Sequence, residues 1–295
     1  MTSVPEVNIS FRGLKMWANM SKGLPFCSKN YNKMILKNIN GDFKAGTSTA
    51  ILGPSGSGKT TFLNFIASRM TSGNLEVEGE LFINGNKIKS IKEMKHRFSY
   101  VMQEDVLFSD LSVYEILIST ARLAGLPKPQ EAVDEVIKWL NLEGCKHTKV
   151  GSSLDKGISG GEAKRTSIAV EMLTQPSVIF LDEPTTGLDS KSALDVAAII
   201  KMFARNGRTC IATIHQPSSE IMMKFDHVLC ICKGEIVYYG PPKHIPDHFS
   251  SIGYAPPMLT NPADHLMTIL NDDDIRIRAL KENREISNKE VQEEF

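Results

Sequence analysis

The chain has 295 residues, which is long enough to bury a large hydrophobic core in one or two domains. Its 34 lysines and arginines balance its 34 aspartates and glutamates, so no overall charge attracts nucleic acid, and we expect no nucleic-acid partner. The five cysteines include no Cys-x-x-Cys pair and the seven histidines have no metal-ligand spacing, which predicts reduced, structural thiols and argues against a zinc site.

The N-terminal part of the chain has the pattern of an antiparallel sheet. Val7, Ile9 and Phe11 alternate with polar residues, as in a strand with one buried face. Further along, Asn84-Gly85 lies between two short strand-like runs within residues 81–88, which is a hairpin signal. Together these patterns predict an antiparallel β subdomain that flanks the main core.

Residues 53–60 match the pattern G-x-x-x-x-G-K-[ST] and lie between a strand-like run at 49–52 and a helix-like run at 61–66. This context predicts a phosphate-binding loop, because glycines let backbone N–H groups face inward while the helix directs its positive end to the same point. Lys59 would reach the β- and γ-phosphates, and the Thr60 hydroxyl would ligate Mg²⁺. The alternative is a glycine-rich turn that binds nothing, which the flanking strand and helix disfavour.

The predicted nucleotide-binding loop includes the residue after the pattern as well. Its members are Gly53, Pro54, Ser55, Gly56, Ser57, Gly58, Lys59, Thr60 and Thr61.

Between about residues 111 and 175 the pattern becomes helical. Val133, Ile137 and Leu140 recur at helical spacing, and Pro127 and Pro129 interrupt the run before them. We therefore expect an α-helical subdomain inserted in an α/β core.

Ser159 and Glu162 have the spacing of a capping box at the start of a helix, with Gly160 and Gly161 between them. The N-terminus of such a helix is an anion site, and two glycines would let a ligand approach the backbone closely. A plain capped helix is the alternative, although it would not need glycines that lower helix propensity.

Residues 178–181 are apolar and are followed by Asp182 and Glu183, a pattern typical of a buried parallel strand. In open α/β sheets the ligand binds at the carboxyl ends of the strands. We expect Asp182 to contribute to the magnesium shell and Glu183 to orient or deprotonate the attacking water. An acidic turn after a core strand is the alternative, which is less favoured in a chain that also carries the loop at 53–60.

The C-terminal part contains a predicted hairpin at residues 228–239, which turns at Lys233-Gly234. After about residue 270 the chain is charged and poor in large apolar residues, as in a linker or an exposed helix. No apolar run approaches the roughly 18 residues that a membrane-spanning helix needs, so we expect this chain itself to be soluble.

Six motifs in this order resemble the nucleotide-binding domain of an ATP-binding cassette (ABC) transporter over residues 35–270. They are the Walker A loop at 53–60, the Q-loop residue Gln103, the signature Ser159-Gly160-Gly161-Glu162, the Walker B residues Asp182 and Glu183, the D-loop residue Asp189 and the switch histidine His215. The sequences at 184–189, 213–218 and 261–264 are similar to those of the G subfamily, whose half-transporters place this domain before the membrane domain.

The resemblance implies an α/β fold: a P-loop NTPase (RecA-like) core with an antiparallel β subdomain and an α-helical subdomain of about residues 105–175. Residues 1–270 would form the nucleotide-binding domain, and residues 271–295 a charged linker toward a membrane domain outside this chain. The implied function is ATP binding and hydrolysis at the cytosolic face of a membrane. A second nucleotide-binding domain and the transmembrane domain of the same transporter would be partners in the export of a substrate.

The resemblance also implies roles for individual residues, with ATP and Mg²⁺ as ligands. The implied catalytic residues are Lys59, Gln103, Glu183 and His215, and the implied magnesium ligands are Thr60, Gln103 and Asp182. Two copies would meet head to tail, so that Ser159, Gly160, Gly161 and Glu162 of one copy cover the ATP of the other, with Asp189 communicating between them. No aromatic residue lies at the position where many ABC domains stack adenine. Tyr31 is close to that position, Phe26 and Trp17 are further from it, and ordinary packing is the alternative for each of the three.

Two other functions are compatible with an ABC-type ATPase sequence. A stand-alone soluble ABC ATPase of DNA repair or translation would carry a basic stripe or a long coiled-coil insert, and the sequence has neither. A regulatory module that binds nucleotide without hydrolysis would have lost part of the catalytic set, whereas Lys59, Asp182, Glu183 and His215 are all present.

Overall fold

The computed structural model describes residues 4–22, 29–69, 75–88, 97–151, 155–257 and 261–271 of the chain. The predicted linker at 271–295 lies, after its first residue, outside the described residues, so it stays a prediction.

The strands among the described residues occur along most of the chain. In order, they are β1 (Ile9–Lys22), β2 (Lys29–Phe43), β3 (Ser48–Leu52), β4 (Leu75–Ile83), β5 (Asn86–Ile88), β6 (Phe98–Val101), β7 (Val178–Asp182), β8 (Thr209–Thr213), β9 (His227–Cys232) and β10 (Glu235–Gly240).

The helices are numbered in the same way. They are α1 (Lys59–Ile66), α2 (Val113–Leu123), α3 (Pro129–Trp139), α4 (Gly160–Met172), α5 (Ser190–Arg205), α6 (Ser219–Met222), α7 (Ile245–Ser251) and α8 (Pro262–Asn271), with short 3₁₀ helices at Glu143–Cys145 and Pro242–His244. None of the helices described is long and apolar enough to cross a membrane.

The chain divides into two compact units. The loop unit comprises the described residues within Asn8–Lys44, Thr49–Ile91 and His215–Phe295, and the carboxylate unit comprises those within Met1–Val7, Ala45–Ser48 and Lys92–Ile214.

The loop unit contains the predicted antiparallel sheet, with strand order β2-β1-β4-β5. Ile9 and Phe11 are fully buried in β1, and Asn84 and Gly85 turn between β4 and β5 with φ of 48° and 79°. Two consecutive residues with positive φ are typical of the tight hairpin turn whose twist matches the flanking strands. The predicted antiparallel sheet and hairpin are therefore confirmed.

The loop unit also contains β3, the strand that precedes the phosphate-binding loop, and two strands that continue the sheet beside it. Residues 49–52 of β3 pair in parallel with β9, and β9 pairs antiparallel with β10 through a turn at Lys233-Gly234. This confirms the predicted C-terminal hairpin and gives it a position beside β3.

The carboxylate unit contains parallel strands in the order β8-β7-β6, together with α2, α3, α4 and α5. All five residues of β7 and of β8 are buried, which agrees with the continuous apolar run that predicted a buried parallel strand. The helical character expected after about residue 111 is also present, beginning with α2 at Val113. The interruption expected at the prolines is present as well, since α2 ends at Leu123 and α3 begins at Pro129, a position where the missing N–H of proline costs nothing.

The cysteines within the described residues agree with the predicted reduced thiols. Cys145, Cys210, Cys230 and Cys232 are free and buried. Burial raises the pKa of the Cys145 thiol to about 11, which keeps it protonated and unreactive near neutral pH.

An aromatic cluster fixes α1 in the loop unit. The ring of Phe62 lies 5.1 Å from that of Phe11, nearly perpendicular to it, and 6.3 Å from that of Phe43. All three side chains are fully buried, so the cluster combines hydrophobic burial with favourable edge-to-face geometry. Because α1 follows the phosphate-binding loop directly, this packing also positions the C-terminal end of that loop.

We expect Phe62→Ala to lower the free energy of unfolding by about 3–5 kcal/mol, because the surrounding rings cannot close the cavity. Val77→Ala, on the same unit at a side chain that is 37% exposed, should cost less than about 1 kcal/mol. Urea unfolding of both variants measures the difference, and similar losses in the two would contradict the role of the cluster.

Candidate functional site

The predicted phosphate-binding loop lies between β3 and α1, as its sequence context required. The helix begins at Lys59, two residues before the apolar run that predicted it. Gly53 has a φ of 153°, and a Cβ atom there would lie 2.0 Å from the carbonyl oxygen of Ile231, so only glycine fits. Gly58 precedes α1 with a φ of 103° and provides no side-chain cap. A bound anion can take the place of such a cap at a helix N-terminus.

Two buried polar side chains face the inside of this loop. Lys59 is 6% exposed, and its Nζ donates hydrogen bonds to the carbonyl oxygens of Gly53 at 2.8 Å and Pro54 at 3.0 Å. The Oγ of Ser57 is buried and has no hydrogen-bond partner among the described residues. A buried hydroxyl without a partner costs about 1–3 kcal/mol, a cost that a phosphate oxygen can relieve. The loop therefore fits a phosphate group.

The predicted switch histidine contacts the same loop. The Nε2 of His215 lies 3.3 Å from the Oγ of Ser55, and both residues are exposed members of the loop unit. Thr60, the predicted magnesium ligand, is an exposed residue in the first turn of α1. The loop unit thus places Ser55, Lys59, Thr60 and His215 on or against one short loop.

In the carboxylate unit, Asp182 is the last residue of β7 and is 6% exposed. Its Oδ1 accepts a hydrogen bond from the Thr213 hydroxyl at 2.6 Å, and its Oδ2 accepts one from the Tyr100 hydroxyl at 3.1 Å. The Thr213 oxygen also accepts the backbone N–H of Glu183 at 2.9 Å. Strand β8 is in register with β7, with Thr213 opposite Asp182, which explains how one hydroxyl reaches both residues.

Gln103 and Glu183, both predicted to be catalytic, are in direct contact. The Nε2 of Gln103 donates a hydrogen bond to the Oε2 of Glu183 at 3.1 Å, and the Thr186 hydroxyl donates to the same oxygen at 3.0 Å. Glu183 has a φ of 46°, a left-handed conformation that is uncommon outside glycine. The structure therefore brings Gln103, Asp182 and Glu183 together at the end of β7.

The predicted capping box at the start of α4 is present. The backbone N–H of Ser159 donates to the Oε2 of Glu162 at 2.8 Å, and the N–H of Glu162 donates to the Ser159 hydroxyl at 3.3 Å. The hydrogen bond from the Ser159 backbone lowers the pKa of the Glu162 carboxyl, with the Ser159 hydroxyl contributing in the same direction. Glu162 therefore stays ionised and stabilises the positive end of the helix.

Gly161 has a packing requirement of its own, separate from any ligand. A Cβ atom at Gly161 would lie 2.6 Å from the Oγ of Ser192 on α5, whereas one at Gly160 would meet only Leu188 at 3.7 Å. Close packing against α5 is therefore a reason for glycine at position 161 that the sequence pattern did not predict, and the approach of a ligand to both glycines stays a prediction.

Asp189, predicted to communicate between copies, caps α5. Its Oδ1 accepts the backbone N–H groups of Lys191 and Ser192, both at 3.0 Å, and the hydrogen bond from the Ser192 hydroxyl is the main cause of a lowered pKa at Asp189. Ser192 thus lies between Asp189 and the backbone of Gly161. The candidate for adenine stacking, Tyr31, belongs to β2, but its side chain lies outside what the structure describes.

In the part of the chain that the structure describes, no group of three or more His, Cys, Asp or Glu residues could hold a metal ion by itself. Magnesium bound with a nucleotide does not need such a group, because it is usually bound through one or two carboxylates together with phosphate oxygens and water. Thr60 in the loop unit and Asp182 in the carboxylate unit each carry a hard oxygen donor, and their role as magnesium ligands stays a prediction.

Several residues that support the site were not among the predicted ones. Thr213 and Tyr100 fix Asp182, Thr186 contacts Glu183, and Lys164 contacts the backbone around Gln103. A hydroxyl residue at the end of a strand parallel to β7 is a signal that could have identified Thr213. Tyr100 and Lys164 depend on contacts distant in sequence, which pattern and spacing do not reveal.

A comparison with family models matches residues 36–186, just over half of the chain, to the family described as "ABC transporter". The chain belongs to the ABC transporter family. A second model, described as "ABC-2 type transporter", matches residues 215–291. The family assignment agrees with the predicted P-loop NTPase fold, which combines parallel strands with an antiparallel sheet.

The curated relatives place the chain with the G family. It is 38% identical over 298 residues to the broad substrate specificity ATP-binding cassette transporter ABCG2 of Sus scrofa, covering 99% of this chain and 44% of the relative. It is 41% identical to ABC transporter G family member 14 of Arabidopsis thaliana, and that match covers 90% of this chain and 41% of the relative. It is 39% identical to ABC transporter G family member 1 of Dictyostelium discoideum, and that match covers 90% of this chain and 34% of the relative. The chain therefore spans less than half the length of these relatives.

We expect Thr213→Val to destabilise the chain by about 1–3 kcal/mol, since it removes the donor to Asp182 and the acceptor for the Glu183 amide at a buried position. Thr213→Ser keeps the hydroxyl and loses only a methyl group, so its cost should be about 1 kcal/mol or less. Denaturant unfolding of the two variants provides the measurement. Equal losses would mean that the hydroxyl does not stabilise this end of β7.

Proposed function

We propose that this ABC-family domain binds ATP with Mg²⁺ and hydrolyses it. The observation that carries the proposal is the loop between β3 and α1, where Lys59 is buried and the Ser57 hydroxyl has no partner among the described residues. Because the loop also precedes a helix without a side-chain cap, three independent features favour an anion at the same place.

The proposed phosphate contacts come from the loop. Its backbone amides and Lys59 stabilise the charge on the transferring phosphoryl group, and His215 contacts the γ-phosphate. Thr60, Gln103 and Asp182 are the proposed ligands for Mg²⁺, directly or through water. When bound, the metal ion neutralises charge on the β- and γ-phosphate oxygens.

Glu183 is the proposed general base. Its carboxylate takes a proton from the attacking water while the oxygen of that water forms a bond to the γ-phosphorus, and the bond to the ADP oxygen breaks to release ADP and phosphate. The hydrogen bonds from Gln103 and Thr186 to the same carboxylate oxygen support this role, because they restrict the orientation of the side chain. Asp182 is more deeply buried than Glu183, which suits a structural contact with the metal shell rather than proton transfer.

We further propose that two nucleotide-binding domains meet head to tail in the presence of ATP. The start of α4 carries a complete capping box, and its positive end with the exposed backbone at Gly160 can cover the phosphates bound by another copy. Ser159, Gly160, Gly161 and Glu162 belong to that proposed surface, with Asp189 beside it through Ser192. Since the γ-phosphate would contact both copies, hydrolysis would separate them.

The proposed partner beyond the second domain is the transmembrane domain of the same G-family transporter. The similarity of residues 215–291 to an ABC-2 type transporter model and the greater length of the relatives support this part of the proposal. The domain would then work at the cytosolic face of a membrane and drive export of a substrate by the whole protein.

We expect Glu183→Gln to reduce steady phosphate release by about 10²–10⁴-fold while ATP binding is retained, because a positioned base contributes that much to the rate. The variant should also accumulate as a dimer in Mg-ATP, which sedimentation velocity detects. Glu143→Gln, which removes an exposed carboxylate elsewhere in the carboxylate unit, is the matched control and should behave as wild type. Near-normal hydrolysis by Glu183→Gln would remove Glu183 from this role.

Lys59→Ala should weaken ATP binding or the rate of hydrolysis by about 10–100-fold, since a charge-assisted hydrogen bond is worth about 1.5–3 kcal/mol. Lys87→Ala removes an exposed lysine of the same unit that pairs with Glu80, and it should leave both quantities unchanged. Isothermal titration with ATP and a phosphate-release assay give the two values. Unchanged affinity and rate in a folded Lys59→Ala protein would contradict the proposed phosphate contact.

A further inference from the structure

Lys164 is a buried lysine whose contacts converge on one short segment. It lies in the second turn of α4 and is 2% exposed. Its Nζ donates hydrogen bonds to the carbonyl oxygens of Gln103 at 2.8 Å and Met102 at 3.3 Å, and it forms an ion pair with Asp105 at 2.8 Å. An ammonium group has three N–H donors, so these three acceptors satisfy it. Burying a charge is costly unless it is paired in this way.

The contacted segment is an irregular part of the carboxylate unit. Residues 102–105, which we call the Gln103 segment, follow β6 without regular secondary structure and are exposed, apart from the partly buried side chain of Asp105. An exposed irregular segment normally samples several conformations. Here two of its backbone carbonyls and one of its side chains bind the same buried ammonium group.

The other side of this segment touches the proposed catalytic base. The Gln103 carbonyl accepts from Lys164, while the Gln103 side chain donates to Glu183 at 3.1 Å. A single residue therefore connects the buried lysine of the signature helix to the carboxylate at the end of β7. The precision of the Gln103–Glu183 contact depends on how well the backbone of Gln103 is fixed.

We infer that Lys164 is a positioning residue for ATP hydrolysis, which rests on the function proposed above. It fixes the Gln103 segment so that the Gln103 amide orients Glu183, and it makes the position of Gln103 depend on the position of α4. Since α4 begins with the surface proposed to cover the ATP of a second copy, closure of that surface would be transmitted to Glu183 through Lys164 and Gln103.

The polar contacts of Lys164 do more than its side-chain volume alone would do. A methionine or leucine would occupy the same volume without a buried charge, but replacing Lys164 alone removes the donor from Asp105 and from two carbonyl oxygens, so it also lowers stability. The contacts with two backbone carbonyls serve no packing purpose, but they fix the backbone from which the Gln103 side chain extends. The expected loss on substitution is therefore in the rate of the chemical step rather than in nucleotide binding.

The test compares Lys164→Met, Lys164→Arg and Ser99→Ala in the full 295-residue chain. Ser99 is a matched control, because its hydroxyl also joins α4 to β6, but at Glu171 near the other end of the helix. Hydrogen exchange of peptides that cover residues 102–105 should accelerate in Lys164→Met, recover in part in Lys164→Arg and stay unchanged in Ser99→Ala. For Lys164→Met, kcat should fall about 10–100-fold with KM for ATP nearly unchanged, as for a small misplacement of a catalytic group.

A double-mutant cycle with Gln103→Ala separates positioning from general damage. If Lys164 acts through Gln103, then Lys164→Met should reduce kcat much less in the Gln103→Ala background than in wild type. Equal reductions in both backgrounds, or unchanged exchange at residues 102–105, would overturn the inference. Asp105→Asn, at a side chain that is 22% exposed, should give the same changes in weaker form and serves if Lys164→Met does not fold.

The experiment distinguishes an error in the proposed function from an error in the proposed role of Lys164. If the wild-type chain binds ATP but releases no phosphate, the proposed function fails, while the exchange measurement still decides whether Lys164 fixes the Gln103 segment. If wild type hydrolyses ATP and Lys164→Met has normal kcat, only the role of Lys164 is wrong.

Discussion

The hydroxyl of Thr213 is the contact on which the carboxylate end of β7 depends. It donates to Asp182 and accepts from the backbone of Glu183, so one buried atom fixes two adjacent residues with different proposed tasks. This is possible because β7 and β8 are parallel and in register, with Asp182 opposite Thr213. The backbone of Glu183 has positive φ at this point, and the hydrogen bond to its amide stabilises a conformation that is otherwise unfavourable.

Buried packing also supports the phosphate-binding loop in the loop unit. The aromatic packing of Phe62 fixes α1, and the close approach of Gly53 to the Ile231 carbonyl fixes the start of the loop. A loop that is anchored at both ends in this way can present its amides and Lys59 to a ligand without a large entropic cost of ordering. In both units, the residues with proposed chemical roles therefore lie on short segments that buried elements support.

Local sequence patterns predicted much of this arrangement, because each pattern reflects a physical requirement within a few residues. The loop at 53–60, the capping box of Ser159 and Glu162, and the two carboxylates after an apolar strand are of this kind. The contacts of Tyr100 and Lys164 were not predicted, because each joins residues more than 60 positions apart. The packing of Gly161 against Ser192 was also not predicted, because it too joins residues that are not neighbours in the sequence.

Phosphate release from Mg-ATP by the unaltered chain, measured over a range of protein concentrations, is the sharpest test of an ATPase built from two copies. We expect release that requires magnesium and that rises more steeply than the first power of protein concentration, because two copies would form each active site in the proposed dimer. Release that persists after magnesium is chelated, or no release at any concentration despite measurable ATP binding, would contradict this mechanism.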